Sequence, residues 1–192
     1  KGLSVLNWTS EAQQLRLRLQ CAARWLPEEP WPAVDDATLL DELESWLLPH
    51  MSGVHSLRSL KSLDLRQALF DWLPWTLRQR LDSQLPTHYT VPTGSRIAIR
   101  YDEDNPPALA VRMQEMFGEA RTPTIAEGRV ALVLELLSPA QRPLQITRDL
   151  SAFWQGAYRE VQKEMKGRYP KHVWPDDPAN TAPTRRTKKY SA

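Results

Sequence analysis

The stretch Arg96-Ile97-Ala98-Ile99-Arg100-Tyr101 (residues 96–101) decides the fold class. Its apolar side chains alternate with Arg, Ala and Arg, which is the period-two pattern of a strand with one buried face. Between residues 10 and 86 the apolar side chains instead recur every three or four residues, as in amphipathic helices. The sequence therefore predicts an α+β protein with a helical N-terminal part.

The helical part, residues 1–86, is predicted to consist of short helices that prolines separate. Ser10 and Gln13 form a capping-box pattern before the first helix, and Asp35 or Asp36 is expected to cap the second. Three Trp-Leu pairs precede prolines, and we interpret them as bulky residues that close the last turn of a helix onto the core. An exposed protein-docking role is the alternative. The pairs are Trp25-Leu26, Trp46-Leu47 and Trp72-Leu73.

Residues 87–178 are predicted to form a small, largely antiparallel sheet packed by a long helix over residues 149–166. The apolar run Val130–Leu137 barely alternates, so we expect a strand that is buried on both faces. Residues 144–146 are predicted to form an edge strand. Asp149 is expected to cap the long helix, whose apolar residues fall on one side.

Charge is distributed unevenly along the chain, whose formal net charge is +2. Residues 1–158 hold 16 Lys and Arg against 19 Asp and Glu, whereas residues 159–192 hold 9 against 4. A basic C-terminal end attracts phosphate groups, although a solvated tail is the alternative interpretation. Residues 179–192 contain too few apolar side chains to form a core, so we predict a disordered basic tail.

No catalytic residue, metal site or cofactor site is predicted. Phosphate-binding loops need closely spaced glycines, but the seven glycines of this chain are never closer than ten residues. His50 and His55 have no carboxylate or thiolate at metal-ligand spacing, and Cys21 is the single cysteine. We therefore expect no enzymatic activity from this chain. The absence of a long apolar run or signal-peptide pattern, together with the single cysteine, leads us to expect a cytoplasmic protein.

The remaining candidate site is cationic and aromatic. Between Arg159 and Trp174, Lys and Arg are interspersed with Tyr, His and Trp, a composition that binds single-stranded nucleic acid by phosphate neutralisation and base stacking. The alternative is that Tyr169 and Trp174 pack this segment onto the domain. The candidate nucleic-acid-binding residues are Arg159, Lys163, Lys166, Arg168, Lys171, His172, Trp174, Arg185, Arg186, Lys188 and Lys189.

Several strings of this sequence resemble one protein family. They are LLSPAQRPLQ (136–145), DL (149–150), FW (153–154), GRYPKH (167–172), WP (174–175) and AVRMQEMFG (110–118). They are similar to the C-terminal region of HrpB-type bacterial helicases, which belong to the DEAH-box ATP-dependent RNA helicases. The resemblance runs over most of the chain and is most specific from about Val130 to Pro178.

The resemblance implies a parent protein with two RecA-like motor domains that hydrolyse ATP, with Mg, while moving on RNA. All motor motifs would then lie upstream of Lys1. We therefore expect a non-catalytic accessory domain that assists RNA binding through its basic C-terminal end. Its expected partners are RNA and the motor domains of the same polypeptide. The alternatives are a protein-docking module that uses the Trp-rich helical half, and a brace for the motor domains.

Overall fold

The computed structural model describes residues 2–188, which divide into two compact units. Unit 1 comprises residues 2–85 and 101–105, and unit 2 comprises residues 86–100 and 106–188. Helices form unit 1 and a mixed sheet with helices forms unit 2, which confirms the predicted α+β class. No helix among residues 2–188 is long and apolar enough to cross a membrane.

Unit 1 contains six α-helices among its described residues. They are α1 (Ser10–Trp25), α2 (Asp36–Asp41), α3 (Leu43–Trp46), α4 (Leu57–Leu60), α5 (Leu65–Trp72) and α6 (Trp75–Gln84), with 3-10 turns at Gly2–Val5 and Leu48–His50. The apolar residues of α1 recur at the predicted spacing, and Leu15 and Leu19 are fully buried. The N-cap of α1 is Thr9 rather than the predicted Ser10, because the Thr9 hydroxyl accepts the Ala12 N–H at 3.1 Å.

Two polar side chains of α1 bind backbone groups inside unit 1. The buried Arg18 guanidinium donates to the Leu85 carbonyl at 2.7 Å and to the Asp82 carboxylate at 3.0 Å. The Gln14 amide accepts the Tyr101 N–H at 2.9 Å and donates to the Tyr101 carbonyl at 3.2 Å. These bonds pair backbone groups at the end of α6 and at Tyr101 that would otherwise be buried without a partner. The bonds to Tyr101 also make the acidic loop 101–105 part of unit 1.

Each Trp-Leu pair contributes at least one side chain to the core of unit 1. Trp46 and Leu47 are both buried, and the Trp46 indole N–H donates to the Leu39 carbonyl at 2.8 Å. In the other two pairs the leucine is buried and the tryptophan is half-buried. The packing interpretation therefore holds for all three pairs, with leucine as the constant buried member.

Unit 2 is organised around a five-stranded sheet. The described strands are β1 (His88–Thr90), β2 (Arg96–Arg100), β3 (Ala108–Arg112), β4 (Thr124–Ile125), β5 (Val130–Ala131), β6 (Val133–Leu137) and β7 (Pro143–Thr147). The order is β1-β2-β3-β6-β7, and β4 and β5 form a separate hairpin. Only the β3–β6 pair is parallel among these strands, so the predicted largely antiparallel sheet is confirmed.

The prediction of a strand buried on both faces over residues 130–137 is wrong. Leu132 separates β5 from β6, and burial alternates along β6, with Leu134 and Leu136 buried. Glu135 lies on the other face, where its carboxylate accepts two hydrogen bonds from Arg100 at 3.1 and 2.6 Å. The apolar run misled the prediction because Val133 and Leu137 share that half-exposed face. Strand β7 lies at the edge of the sheet, as predicted.

The long helix predicted over residues 149–166 is two helices, α7 (Leu150–Gln155) and α8 (Tyr158–Arg168). Asp149 caps α7 as expected, since its carboxylate accepts the Ala152 N–H at 3.0 Å. Gly156 ends α7 in a conformation with φ −118° and ψ −97°. A Cβ on Gly156 would lie 3.2 Å from the Ala152 carbonyl oxygen, so the glycine permits this tight break.

The segment after α8 follows a defined path along unit 2. It contains a 3-10 turn at Pro178–Asn180, where the Gly118 N–H donates to the Pro178 carbonyl at 2.9 Å. Farther along, the Thr184 N–H donates to the Gln114 carbonyl and the Lys188 N–H to the Lys171 carbonyl. Residues 179–188, predicted as the start of a disordered tail, therefore lie against the fold, and residues 189–192 are outside the described residues.

The β6–β7 turn provides a test of backbone strain. Gln141 is exposed with φ 62°, a left-handed conformation that costs an L-residue about 1–2 kcal/mol. Gly removes that cost but adds roughly 0.4–1 kcal/mol of unfolded-state entropy. We expect Gln141→Gly to raise the free energy of unfolding by about 0.5 kcal/mol in urea titrations. Ala140→Gly, in the same turn but without a positive φ, should lower it; equal losses in both variants would contradict the left-handed assignment.

Candidate nucleic-acid interface

Helix α8 separates a buried face from a basic one. Tyr158, Val161, Gln162 and Met165 are buried, which follows their spacing of three and four residues. The cations at i, i+4 and i+7 are all exposed on the other side, as predicted: Arg159, Lys163 and Lys166.

The buried face of α8 also holds the extended segment that follows it. The Gln162 side-chain amide donates to the carbonyls of Trp174 and Pro175, both at 3.1 Å, and to the Asp176 carboxylate at 2.7 Å. The Tyr158 hydroxyl donates to the Pro175 carbonyl as well. The prolines keep this segment out of regular helix, so its carbonyls need other donors, and the side chains of Gln162 and Tyr158 supply them.

Trp174 is a core residue and cannot serve as the predicted stacking platform. Only 5% of its surface is exposed, and its indole N–H donates to the Tyr169 carbonyl at 2.9 Å. Its ring meets Phe117 edge-on at a centroid distance of 6.5 Å. The alternative interpretation, in which this aromatic residue packs the segment onto the domain, describes Trp174 correctly.

A groove of about 310 Å³ lies beside α8. Two of the predicted cations, Lys166 and Lys188, line it together with His172. Lys188 reaches the groove because its backbone N–H donates to the Lys171 carbonyl, which returns the C-terminal segment to this place. The rest of the lining is apolar or backbone and comes from Pro170, Val173, Trp174 and Pro175.

His172 is surrounded by groups that disfavour its charged form. Partial burial lowers the pKa of the imidazole, and the Arg112 guanidinium lowers it further, against the opposing effect of a hydrogen bond to the Arg186 backbone. The Gln114 amide nitrogen lies 3.5 Å from the ring Nδ1. Gln114 is fully buried, and among residues 2–188 its amide oxygen has no hydrogen-bond partner.

The other predicted site residues lie at the edge of this region. Lys166 forms an ion pair with Asp176 at 3.9 Å, and the charges of Lys166 and Arg159 add to the Gln162 hydrogen bond in lowering the Asp176 pKa. Arg168 pairs with Glu164 at 3.4 Å, which offsets part of its charge. Lys171, Arg185 and Arg186 are exposed in the C-terminal segment. Lys189 is outside the described residues.

The division into units separates the charges more completely than the sequence suggests. Among the described residues, unit 1 holds 8 Lys and Arg against 14 Asp and Glu, a net charge of −6. Unit 2 holds 15 against 9, a net charge of +6. Seven of these 15 cations are outside the predicted site, and three of the seven lie on strands of the sheet: Arg96 and Arg100 on β2, and Arg112 on β3. Their alternation with buried residues was the available signal.

Neither unit presents a recognisable metal site in the part of the chain that the structure describes. Residues 2–188 contain no group of three or more His, Cys, Asp or Glu side chains that could hold a metal ion. Cys21 is buried in unit 1, where burial raises the pKa of its thiol.

Comparison with known proteins gives consistent matches. A family model described as "ATP-dependent helicase C-terminal" (HrpB_C) matches residues 46–178. The chain is 84% identical over 191 residues to "ATP-dependent RNA helicase HrpB" from Escherichia coli (strain K12), a match that covers 100% of this chain and 24% of the relative. The chain therefore spans about a quarter of the length of that relative.

Two crystal structures are also similar. The first, of the E. coli DExH-box NTPase HrpB, has a TM-score of 0.94 and 83% identity, and covers 97% of this chain and 23% of the other. The second, of the Escherichia coli DEAH/RHA helicase HrpB, has a TM-score of 0.80 and 80% identity over 91% of this chain and 22% of the other.

The environment of His172 predicts a pH dependence. The pKa of His172 is lower in the folded chain than in the unfolded chain. The contribution of His172 to the free energy of unfolding is therefore fully present above the unfolded pKa, and it is lost as pH falls through the folded pKa. NMR titration should give a lower His172 pKa in the folded chain than in urea. Arg112→Ala should raise the folded pKa, whereas Arg121→Ala, an exposed control, should not. A folded pKa at or above the unfolded one would contradict this assignment.

Proposed function

The chain belongs to the ATP-dependent helicase C-terminal family of HrpB-type helicases, and on that premise we propose that it is a non-catalytic accessory domain that helps its parent hold RNA. The observation that best supports this function is the convergence of Lys166, His172 and Lys188 on one groove. A relative that is 84% identical to this chain is named an ATP-dependent RNA helicase.

The groove suits a single strand because its lining combines cations with apolar surface. Lysine ammonium groups neutralise phosphates and release counterions, which provides affinity without sequence preference. Pro170, Val173 and Pro175 offer apolar surface against which a sugar or a base can lie. The +6 charge of unit 2 attracts a polyanion to this unit, whereas the −6 charge of unit 1 repels it.

We place ATP hydrolysis in the parent rather than in this chain. The relative is about four times as long as this chain, which leaves room for the motor domains that the family resemblance implies. ATP and Mg would bind there, and the motor domains would be partners of this domain within one polypeptide.

A second candidate function, docking onto the motor domains, is favoured by a groove in unit 1. The groove has a volume of about 330 Å³, and its lining is apolar except for Glu44. Leu40 and Leu48 line it although they are 41% and 54% exposed. Large exposed apolar side chains that cluster in a groove are typical of binding surfaces, and the occupant we propose is an apolar segment of the motor part of the same polypeptide.

The RNA function predicts a specific salt dependence. Each neutralised phosphate on a single strand contributes about −0.7 to the slope of log affinity against log salt. The double variant Lys166→Ala/Lys188→Ala should therefore flatten the slope by about 1.4 in titrations with labelled oligo(U) RNA. Its melting temperature should stay close to that of the unsubstituted chain, because both side chains are exposed.

The matched control is Arg58→Ala/Lys61→Ala, which removes the same charge from exposed positions of unit 1. It should leave the slope unchanged. The groove is not the RNA site if both double variants give the slope of the unsubstituted chain. The accessory RNA function fails if the unsubstituted chain shows no salt-sensitive affinity for RNA.

The isolated chain is expected to hydrolyse no ATP, with or without RNA. This expectation rests on the glycine spacing, because no phosphate-binding loop can be assigned to the sequence. The measurement is phosphate release by purified chain against a buffer blank. Turnover that persists after repurification, and that copurifies with the chain, would contradict it.

A further inference from the structure

One face of the unit 2 sheet is open to solvent and carries arginines. Residues that lie directly opposite on neighbouring strands share a face, and Arg100 lies opposite Ala108 while Glu135 lies opposite both Ala110 and Ile146. Side chains alternate along each strand, so the same face includes further residues of β2 and β3. We call this surface the open face: Arg96, Ala98, Arg100, Ala108, Ala110, Arg112, Val133, Glu135, Leu137 and Ile146, of which Ala108 is buried and Val133, Glu135 and Leu137 are half-buried.

The open face is flat in its centre and accessible. Ala98 and Ala110 are exposed methyl-bearing positions, so no large side chain rises from the middle of β2 and β3. Arg96 and Arg100 are exposed, and Arg112 is half-exposed. A sheet surface with small residues in its centre and guanidinium groups around them resembles a platform on which planar groups can lie.

Two of the three arginines carry uncompensated charge. Glu135 is the single acid of the open face, and its carboxylate is engaged by both Nη atoms of Arg100 at 3.1 and 2.6 Å. The Arg100 hydrogen bond lowers the pKa of Glu135, so this pair is ionised and largely neutral as a unit. Arg96 and Arg112 form no ion pair with any of residues 2–188.

The open face and the groove beside α8 are neighbours. Gln114, two residues after Arg112, places its amide nitrogen 3.5 Å from the Nδ1 atom of His172, and His172 lines the groove together with Lys166 and Lys188. Arg112 itself lies on the open face and is not among the residues that line the groove. We therefore expect a strand that leaves the groove past His172 to meet the open face next.

We propose that the open face is a second binding surface for single-stranded RNA, continuous with the groove. Arg96 and Arg112 contact phosphates or stack their guanidinium planes on bases, and the exposed alanines leave space for bases lying flat. This inference rests on the proposed RNA function and adds a surface to it. An acidic peptide would need the charge but not the flat centre, so we favour the nucleic acid.

The test compares oligo(U) RNAs of about 4 to about 16 nucleotides, the range of site sizes for single-strand modules. Affinity for the intact chain should rise with length as the RNA extends from the groove onto the open face. Arg96→Ala/Arg112→Ala should bind the shortest RNA normally but lose the gain with length, with a salt slope flatter by about 1.4 for the longest. Circular dichroism checks that Arg96→Ala/Arg112→Ala folds as the intact chain does.

The matched control is Arg121→Ala/Arg148→Ala, which removes two exposed arginines of unit 2 that lie outside the strands of the sheet. It should retain the gain with length. Arg96→Lys/Arg112→Lys should restore the salt slope but only part of the affinity, because an ammonium group contacts phosphate but does not stack as a guanidinium does.

Any of the following results would overturn the inference. Arg96→Ala/Arg112→Ala could keep the length dependence of the intact chain, or the control could lose it equally. Polyglutamate of the same charge could displace all RNA from the intact chain but not from Arg96→Ala/Arg112→Ala, which would make the open face a site for acidic peptides. The proposed function fails separately, if the intact chain shows no salt-sensitive affinity for RNA of any length. If the intact chain binds the shortest RNA but gains no affinity with length, the open face is not an RNA surface and the proposed function still stands.

Discussion

Five aromatic side chains from four segments of unit 2 pack into one cluster: Phe117, Phe153, Trp154, Tyr158 and Trp174. The rings of Phe117 and Trp174 meet edge-on, as do those of Trp154 and Tyr158 at 5.3 Å, and such pairs contribute about 0.5–1.5 kcal/mol each beyond burial. Both indole N–H groups have carbonyl acceptors, so burial leaves no polar group unsatisfied on the tryptophans. This cluster joins α7, α8 and the segments after β3 and after α8 into one body.

The basic groove depends on that cluster. Trp174 is buried in it, and Gln162 binds the carbonyls of Trp174 and Pro175, so the backbone between α8 and Asp176 has a single course. That course places His172 beside Lys166, and the return of Lys188 to the Lys171 carbonyl adds the second lysine. Charges held on packed elements lose less conformational entropy on binding than charges on a loose tail. An aromatic residue that the sequence suggests as a base-stacking group thus acts indirectly, by positioning the lysines.

The parts of this fold that the sequence predicts are those in which local pattern and burial agree. The alternation around Ile97 and Ile99 identifies β2, and Asp149 identifies the start of α7. The prediction fails where a distant contact decides: the α7–α8 break at Gly156 depends on two aromatic residues on either side entering one cluster, and the burial of Trp174 depends on Phe117. The sequence assigns Arg96 and Arg100 only to the polar side of a strand, because a single strand does not reveal that its neighbours leave that side uncovered.

Charge separation between the units shows how chain topology changes the meaning of composition. A division of the linear sequence at residue 158 gives −3 and +5, yet the two units carry −6 and +6. The difference arises because residues 86–100 and 106–158, which hold seven Arg against five Asp and Glu, belong to unit 2, while Gln14 keeps the acidic loop 101–105 in unit 1. The unit values also leave out Lys1 and Lys189, which are outside the described residues. A polyanion therefore meets one attractive unit and one repulsive unit in the same chain. RNA binding and protein docking, which compete as explanations of the whole sequence, can then occupy different units without interfering with each other.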